Sequence, residues 1–94
     1  LVLDPGARST RLNGRELTLT ATEFSVLETL VRAAGQVVSK ADLSERALGR
    51  RWTPYDRSLD THLANLRRKL GAGPDGELRI KTLRGQGYLF VRGG

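Results

Sequence analysis

Four leucines, spaced three and four residues apart, place the strongest constraint on how this chain folds. They are Leu59, Leu63, Leu66 and Leu70. On a helix with about 100° per residue they fall within about 60° of one another. The opposite side of that helix is polar or small, and it carries Arg57, Thr61, Ala64 and Arg68. The pattern predicts a helix from about Pro54 to Leu70, capped by Thr53 and ended by Gly71, with one side packed on a core.

A strand, a turn and a second strand follow this helix. Residues 78–83 alternate, so that Leu78, Ile80 and Thr82 share one side of an extended segment. Residues 84–87 read Arg-Gly-Gln-Gly, which is a turn sequence, and the apolar residues 88–91 return from it. The pattern predicts a β-hairpin over residues 78–91, with a basic tip.

The first half of the chain predicts a small sheet and two more helices. Asn13-Gly14 is the strongest two-residue hairpin signal, and it favours an antiparallel sheet over residues 1–20. Thr20 and Glu23 have the spacing of a capping box. The first helix they open has an apolar stripe of Phe24, Leu27, Leu30, Val31 and Ala34, and it stops at Gly35. Ser39 caps a second helix, with Leu43, Ala47 and Leu48 inside and Gly49 at its end. Residues 36–38 between the two helices are predicted to be an extended link.

These elements predict an α+β fold in one domain over residues 1–94. Its parts are an N-terminal antiparallel sheet (residues 1–20), a three-helix core (residues 21–70) and a C-terminal hairpin (residues 78–91). Such a chain of 94 residues has room for one hydrophobic core. The order of the elements is that of a winged helix-turn-helix, in which the hairpin is the wing.

Positive charge is concentrated in the second half of the chain. Residues 1–49 contain six basic and six acidic side chains, whereas residues 50–94 contain ten basic and four acidic ones. The whole net charge of +6 therefore lies in the half that holds the third helix and the hairpin. A surface that binds a polyanion needs this asymmetry, because each neutralised phosphate releases counterions. An uneven but solvated surface is the competing interpretation of the charge alone.

The residue types argue against catalysis, cofactors and metals. The chain has no Cys and a single His, His62, so a nucleophilic triad or a thiolate metal site is unavailable. His62 lies two residues from Asp60, about 200° around a helix, and the two cannot form an oriented acid–base pair. Residues 71–76 match GxGxxG, but a helix precedes them and a strand follows, the reverse of a dinucleotide site. No apolar run is long enough to span a membrane.

A basic helix followed at once by a basic hairpin indicates a protein that binds double-stranded DNA. A helix fits the major groove, while the hairpin engages the adjacent backbone or minor groove. A protein-interaction module would expose an apolar patch on the third helix, where Thr61, Asn65 and Arg68 lie instead. An RNA-binding domain would offer aromatic stacking platforms, and the outer side of this helix has none.

Three segments, in this order, resemble one known family. The segment Asp56–Leu70 looks like the recognition helix of OmpR/PhoB-type response regulators, and Ile80–Phe90 looks like their wing. The segment Leu19–Phe24 is similar to the start of their first helix, and Trp52–Arg57 resembles the envelope-stress subgroup of the CpxR kind. The resemblance implies the output domain of a two-component transcription regulator, with its receiver domain absent from this chain.

The resemblance also implies which residues contact DNA. The implied residues are Trp52, Arg57, His62, Asn65, Arg67, Thr82, Arg84 and Tyr88. Ser58, Thr61 and Arg68 are added to this predicted set because they lie on the same side of the helical wheel as Asn65. Asn65 is the leading base-reading residue, and Arg84 is the wing-tip residue for the minor groove. Because Asn prefers adenine and Arg prefers guanine, and many relatives are basic at position 65, the base that is read stays open.

Some of these residues have a structural alternative. Arg67 either contacts phosphate or forms a salt bridge with Asp60 or Glu77. Tyr88 either offers its hydroxyl to phosphate or packs in the core. Gly85 and Gly87 are expected to form the turn.

The partners that the resemblance implies are double-stranded DNA with tandem half-sites, a second copy of the protein on that DNA, and a receiver domain with its sensor kinase. RNA polymerase is expected at the loop around Arg50 to Asp56, and Arg50 and Arg51 would serve either that partner or DNA. The implied location is the bacterial cytoplasm, with no membrane association.

Overall fold

The computed structural model describes residues 2–4, 6–7, 9–12, 14–71 and 79–91. Strands β1 (Val2–Asp4), β2 (Ser9–Leu12) and β3 (Arg15–Leu17) form an antiparallel sheet in that order, which confirms the predicted N-terminal sheet. The register pairs Leu12 with Arg15, and Gly14 between them has a φ of 80°, as a tight hairpin turn requires. The strand ends at Leu17, earlier than the alternation through Thr20 suggests.

Helix α1 (Ala21–Arg32) begins with the predicted capping box. The Glu23 N–H donates to Thr20 Oγ1 at 3.1 Å, and the Thr20 N–H donates to Glu23 Oε1 at 3.0 Å. The helix ends three residues before Gly35, which has a φ of 83° and donates its N–H to the Phe90 carbonyl at 2.9 Å. Gly35 therefore joins the end of this helix to the last strand of the chain.

The second helical segment has two parts. Helix α2 (Lys40–Leu43) is capped by Ser39, whose hydroxyl accepts from the Asp42 N–H at 3.1 Å, as predicted. A π-helical turn (Ser44–Leu48) continues it, and Gly49 ends it with a left-handed φ of 69°. Leu43 is fully buried, and this turn packs against α1.

Helix α3 (Ser58–Leu70) begins four residues later than the leucine pattern predicts. Thr53 does not cap it, because residues 53–56 form a turn in which the Asp56 N–H donates to the Thr53 carbonyl at 3.0 Å. The Asp56 carboxylate takes the capping role instead, accepting from the Ser58 N–H at 2.9 Å. All four leucines of the helix are buried, as predicted.

The wing is a three-stranded sheet rather than a simple hairpin. Strands β5 (Ile80–Leu83) and β6 (Gly87–Phe90) form the predicted hairpin. The link after α1 is itself strand β4 (Val37–Val38), which pairs antiparallel with β6. Gly87 has a φ of 146°, and a Cβ there would lie 2.1 Å from the Val38 carbonyl oxygen. This glycine thus permits a close approach of two backbones, in addition to ending the turn.

The core lies between the helices and both sheets. Its fully buried members include Val26, Leu27, Leu30, Leu43 and Leu66. Val26 lies outside the predicted stripe of α1, whereas Val31 and Ala34 pack only at the edge of the core. Among the described residues, no helix has the length and apolar composition needed to cross a bilayer. The predictions for Leu78, Glu77 and the rest of the 72–78 loop lie outside the described residues.

Candidate nucleic-acid interface

Helix α3 exposes a continuous polar side opposite its leucines. Arg57, Thr61, Ala64 and Arg68 are all exposed, as the helical spacing predicts. Ser58, His62 and Asn65 flank this side and are half-buried. The Thr61 hydroxyl donates to the Arg57 carbonyl at 3.1 Å, so its lone pairs face outward. The small side chain of Ala64 in the middle lets the helix approach another surface closely.

Asn65 and Arg68 form a side-chain pair on this exposed side. The Arg68 Nη2 donates to Asn65 Oδ1 at 2.9 Å. Residues three apart are neighbours on a helix surface, which explains the contact. The pair joins two of the residues that the sequence assigned to DNA contact.

Arg67 ties α3 to the wing. Its Nε donates to the Ile80 carbonyl at 3.1 Å, and its Nη2 donates to the Thr82 hydroxyl. The guanidinium also lies 5.9 Å from the centre of the Tyr88 ring. The expected alternative of a salt bridge with Asp60 is wrong, because Arg67 points to β5 and Asp60 has other partners. Glu77 lies outside the described residues.

Asp60 connects α3 to both the wing and α2. Its Oδ1 accepts a hydrogen bond of 2.6 Å from the Tyr88 hydroxyl and lies 3.6 Å from Lys40 Nζ. Tyr88 is only 3% exposed, so its ring packs in the core, as the second of its two expected roles requires. Its hydroxyl already donates to Asp60. Burial, together with the neighbouring Asp60 carboxylate, raises the pKa of Tyr88 above its ordinary value.

Trp52 lines a groove beside the wing turn. The groove has a volume of about 310 Å³ and is bounded by Ser39, Lys40, Ala41, Trp52 and the residues 85–87. Lys40 Nζ lies 5.9 Å from the ring centres of both Trp52 and Tyr88, between two aromatic faces. The groove therefore joins the start of α2, the loop before α3 and the wing in one concave surface.

The loop before α3 is held by its own ion pair. Arg50 Nη2 lies 3.1 Å from Asp56 Oδ2, and hydrogen bonds from Ser58, followed by the charge of Arg50, lower the pKa of Asp56. Arg51 is exposed, and Tyr55 is 93% exposed. The loop thus presents a large aromatic side chain and a cation from a constrained backbone.

The wing tip presents Arg84 to solvent. The turn is closed by a hydrogen bond from the Gln86 N–H to the Leu83 carbonyl at 2.9 Å. Thr82, Arg84 and Lys81 are exposed, whereas Arg79 is 4% exposed. The predicted alternation of this strand is wrong at two positions: Arg79, just before β5, is buried, and Thr82 is exposed although it was predicted to share the side of buried Ile80.

The contacts of Lys40 and Asp60 at this surface were not predicted from the sequence. Lys40 lies 20 residues before Asp60 in the chain, and no local spacing connects them. The sequence suggested His62 and Arg67 as partners of Asp60, and neither Tyr88 nor Lys40 was expected there. Asp60 lies in the first turn of α3, beside the wing, and this position is the signal that could have indicated a contact with the wing.

Comparison with known proteins assigns the family. Residues 14–90 match the family model described as transcriptional regulatory protein, C terminal. The chain is 52% identical over 91 residues to the transcriptional regulatory protein CpxR of Escherichia coli, covering 97% of this chain and 39% of that protein. It is 43% identical to the transcriptional activator protein PfeR of Pseudomonas aeruginosa, covering 97% of this chain and 30% of that protein.

Solved structures agree with this assignment. The DNA-binding domain of CpxR from E. coli has a TM-score of 0.88 and 49% identity, with 95% of this chain and 87% of that chain covered. The DNA-binding domain of Klebsiella pneumoniae RstA, solved in complex with the RstA box, has a TM-score of 0.84 and 35% identity, with 95% and 88% covered. The chain spans about two fifths of the length of CpxR. It belongs to the winged-helix C-terminal effector domains of OmpR/PhoB-type transcriptional regulators, and within that family it is CpxR-like.

Proposed function

We propose that this domain binds double-stranded DNA sequence-specifically, as the output domain of a two-component transcription regulator. Helix α3 enters the major groove and the wing enters the adjacent minor groove. The observation that carries the proposal is the link from Arg67 to Ile80 and Thr82. It holds the polar side of α3 and the basic wing as one surface that can contact two grooves at once.

Residues on α3 divide into base-reading and backbone-contacting roles. Asn65, Thr61, Ser58 and Arg68 lie where base edges would be reached. Arg57 and His62 lie at the beginning and the flank of the helix, where phosphates would pass. Trp52 lines the groove beside the wing turn, and its indole N–H would donate to a phosphate.

Residues of the wing divide into those that would contact DNA and those that hold the wing in position. The Thr82 hydroxyl accepts from Arg67, which leaves its own proton for a phosphate oxygen. Arg84 is exposed at the tip, as insertion into a narrow minor groove requires. Tyr88 and Arg67 act as positioning residues, because the hydroxyl of one and the guanidinium of the other are bonded within the protein.

We infer the partners of a full-length regulator from the similarity to these relatives. RstA's DNA-binding domain is described in complex with the RstA box, which supports DNA as the ligand here. We infer a receiver domain controlled by a sensor kinase, pairing of two copies on tandem half-sites, and a location in the bacterial cytoplasm. The loop from Arg50 to Asp56 would contact RNA polymerase, with Tyr55 as its exposed aromatic residue.

A protein-interaction module is the second candidate, and the surface of α3 argues against it. The large hydrophobic residues found exposed among the described residues are Val37 and Tyr55, and neither lies on α3. The exposed side of α3 is made of Arg, Thr, Ala and Asn side chains. We propose no catalytic role for the domain, since its family is one of transcription regulators.

The proposal is tested by measuring duplex affinity as a function of salt. We expect log K to fall linearly with log salt, with a slope of about −0.9 for each phosphate neutralised. Arg84→Ala should weaken binding to all duplexes and reduce the slope. Arg32→Ala is the matched control, because this exposed arginine lies in the last turn of α1 rather than on α3 or the wing. A flat salt response, or equal affinity for every duplex in a random pool, would refute the proposal.

A further inference from the structure

The hydrogen bond between Arg68 and Asn65 determines which way the Asn65 amide points. A guanidinium carries only donors, so the amide atom that faces Arg68 Nη2 at 2.9 Å must be the oxygen. The amide nitrogen, with its two hydrogens, is therefore turned away from Arg68. The orientation of an isolated exposed Asn would be free, whereas this one is held by a charged neighbour three residues along α3.

The fixed orientation of the Asn65 amide determines which hydrogen-bonding groups this part of α3 presents to a base. Asn65 presents two N–H donors, and Arg68 adds the guanidinium N–H groups that Asn65 does not use. The Asn65 oxygen is occupied by a charge-assisted bond. A bidentate contact with adenine needs that oxygen to accept from the adenine N6 amino group. Guanine instead offers two adjacent acceptors, N7 and O6, on its major-groove edge.

We propose that Asn65 and Arg68 form one donor-rich reading unit that selects guanine in the major groove. Arg68 both orients the Asn65 amide and supplies donors of its own. This unit presupposes the proposed function, since it acts only when α3 lies in the major groove. It also assigns a base to position 65, where the sequence left the choice between adenine and guanine open.

The experiment is selection of bound duplexes from a random pool, with the 94-residue chain and two variants. The parent should enrich a motif containing one guanine that depends on Arg68. Arg68→Met keeps a long side chain but removes the donors, which frees the Asn65 oxygen. The preference at that one position should shift from guanine toward adenine, and the other positions should keep theirs. Arg57→Met is the matched control, and it should weaken all sequences alike without changing any preference.

Base analogues identify the atoms involved. Replacing the guanine by inosine keeps N7 and O6 and should leave affinity unchanged. Replacing it by 7-deazaguanine or adenine should weaken binding about 5- to 150-fold, the range of one good bidentate contact. In Arg68→Met the penalty for adenine should disappear.

The outcomes separate this inference from the proposed function. A parent that enriches a motif without a guanine sensitive to Arg68→Met overturns the reading unit and leaves DNA binding intact. Equal weakening of all sequences by Arg68→Met does the same, since it makes Arg68 a backbone contact. A parent that enriches no motif overturns both.

Discussion

The phenolic hydroxyl of Tyr88 in the wing donates a hydrogen bond of 2.6 Å to Asp60 in the first turn of α3. The two residues are 28 positions apart in the chain. Lys40, 3.6 Å from the same carboxylate oxygen, adds α2 to the contact. One side chain on α3 therefore connects this helix to both α2 and the wing. This cluster and the hydrogen bonds of Arg67 both connect α3 to the wing.

Tyr88→Phe removes the hydroxyl and keeps the ring in the core. We expect the free energy of unfolding to fall by about 1.5 kcal/mol, the lower end for a hydrogen bond to a charged group, because Asp60 is half exposed. Urea denaturation measures this loss. Tyr55→Phe is the control, because Tyr55 is 93% exposed and should change stability little. Equal stability of the two variants would show that the Asp60 bond contributes nothing net.

The raised pKa of Tyr88 predicts how stability depends on alkaline pH. Its folded pKa lies above the ordinary value of 10.0, so the neutral phenol contributes stability below pH 10.0, and this contribution is lost as pH rises through the folded pKa. In the Tyr55→Phe variant Tyr88 is the sole tyrosine, and near-ultraviolet absorbance reports its ionisation alone. Ionisation should begin well above pH 10.0 and coincide with unfolding. A reversible titration at the ordinary value in the folded protein would contradict the burial of the hydroxyl.

Arg67→Lys should loosen the wing while keeping the charge. A lysine ammonium cannot donate to the Ile80 carbonyl and the Thr82 hydroxyl with the fork geometry of a guanidinium. Hydrogen exchange of the backbone amides in β5 and β6 should accelerate, and duplex affinity should fall. Arg68→Lys, on the exposed side of the same helix, should leave exchange in the wing as it is. Unchanged protection in Arg67→Lys would mean that strand pairing alone positions the wing.

Gly87→Ala should destabilise the domain severely. The new Cβ would lie 2.1 Å from the Val38 carbonyl oxygen, so β4 and β6 must separate. Overpacking of this kind costs about 1–3 kcal/mol, and the φ of 146° adds backbone strain. Gly85→Ala is the matched control, because a Cβ there meets nothing within 4 Å and only the positive φ of 72° is penalised, by about 1–2 kcal/mol. Thermal unfolding should therefore show a larger loss of stability in Gly87→Ala than in Gly85→Ala. An equal or larger loss in Gly85→Ala would contradict the close approach of β4 and β6 at Gly87.

Glu23 should make the domain sensitive to acid. Burial tends to raise its pKa, but hydrogen bonds from Lys69 Nζ at 2.6 Å and from the Thr20 N–H outweigh burial and lower it below 4.5. A lowered folded pKa stabilises the protein above pH 4.5, and that stability is lost as pH falls through the folded value.

Glu23→Gln keeps the capping acceptor and removes the charge, so we expect a loss of about 1–3 kcal/mol at neutral pH that shrinks as pH falls below 4.5. Glu28→Gln is the control, because Glu28 makes an i,i+4 pair with Arg32 at the surface and should cost about 0.5 kcal/mol or less. Urea unfolding across a pH series compares the two variants. A Glu23→Gln penalty that did not vary with pH would contradict the role of the charge.

Local patterns in the sequence determined the elements of this protein. The leucines of α3, the capping box of Thr20 and Glu23 and the Ser39 cap are correct because each depends on residues at most four positions apart in one element. The order of these elements predicted a winged helix, and the resemblance to OmpR/PhoB-type regulators then predicted the family.

Tertiary structure decided how those elements meet. Helix α3 begins at Ser58 because the Thr53 carbonyl closes a turn with the Asp56 N–H, and the Asp56 carboxylate, paired with Arg50, accepts from the Ser58 N–H. The link at Val37–Val38 became a strand because β6 lies beside it. Lys40, Asp60 and Tyr88 meet only after α2, α3 and the wing have packed. Asp60 is 20 positions from Lys40 and 28 positions from Tyr88, so no periodic pattern in the sequence predicts these contacts. The contacts depend on how whole elements pack against one another.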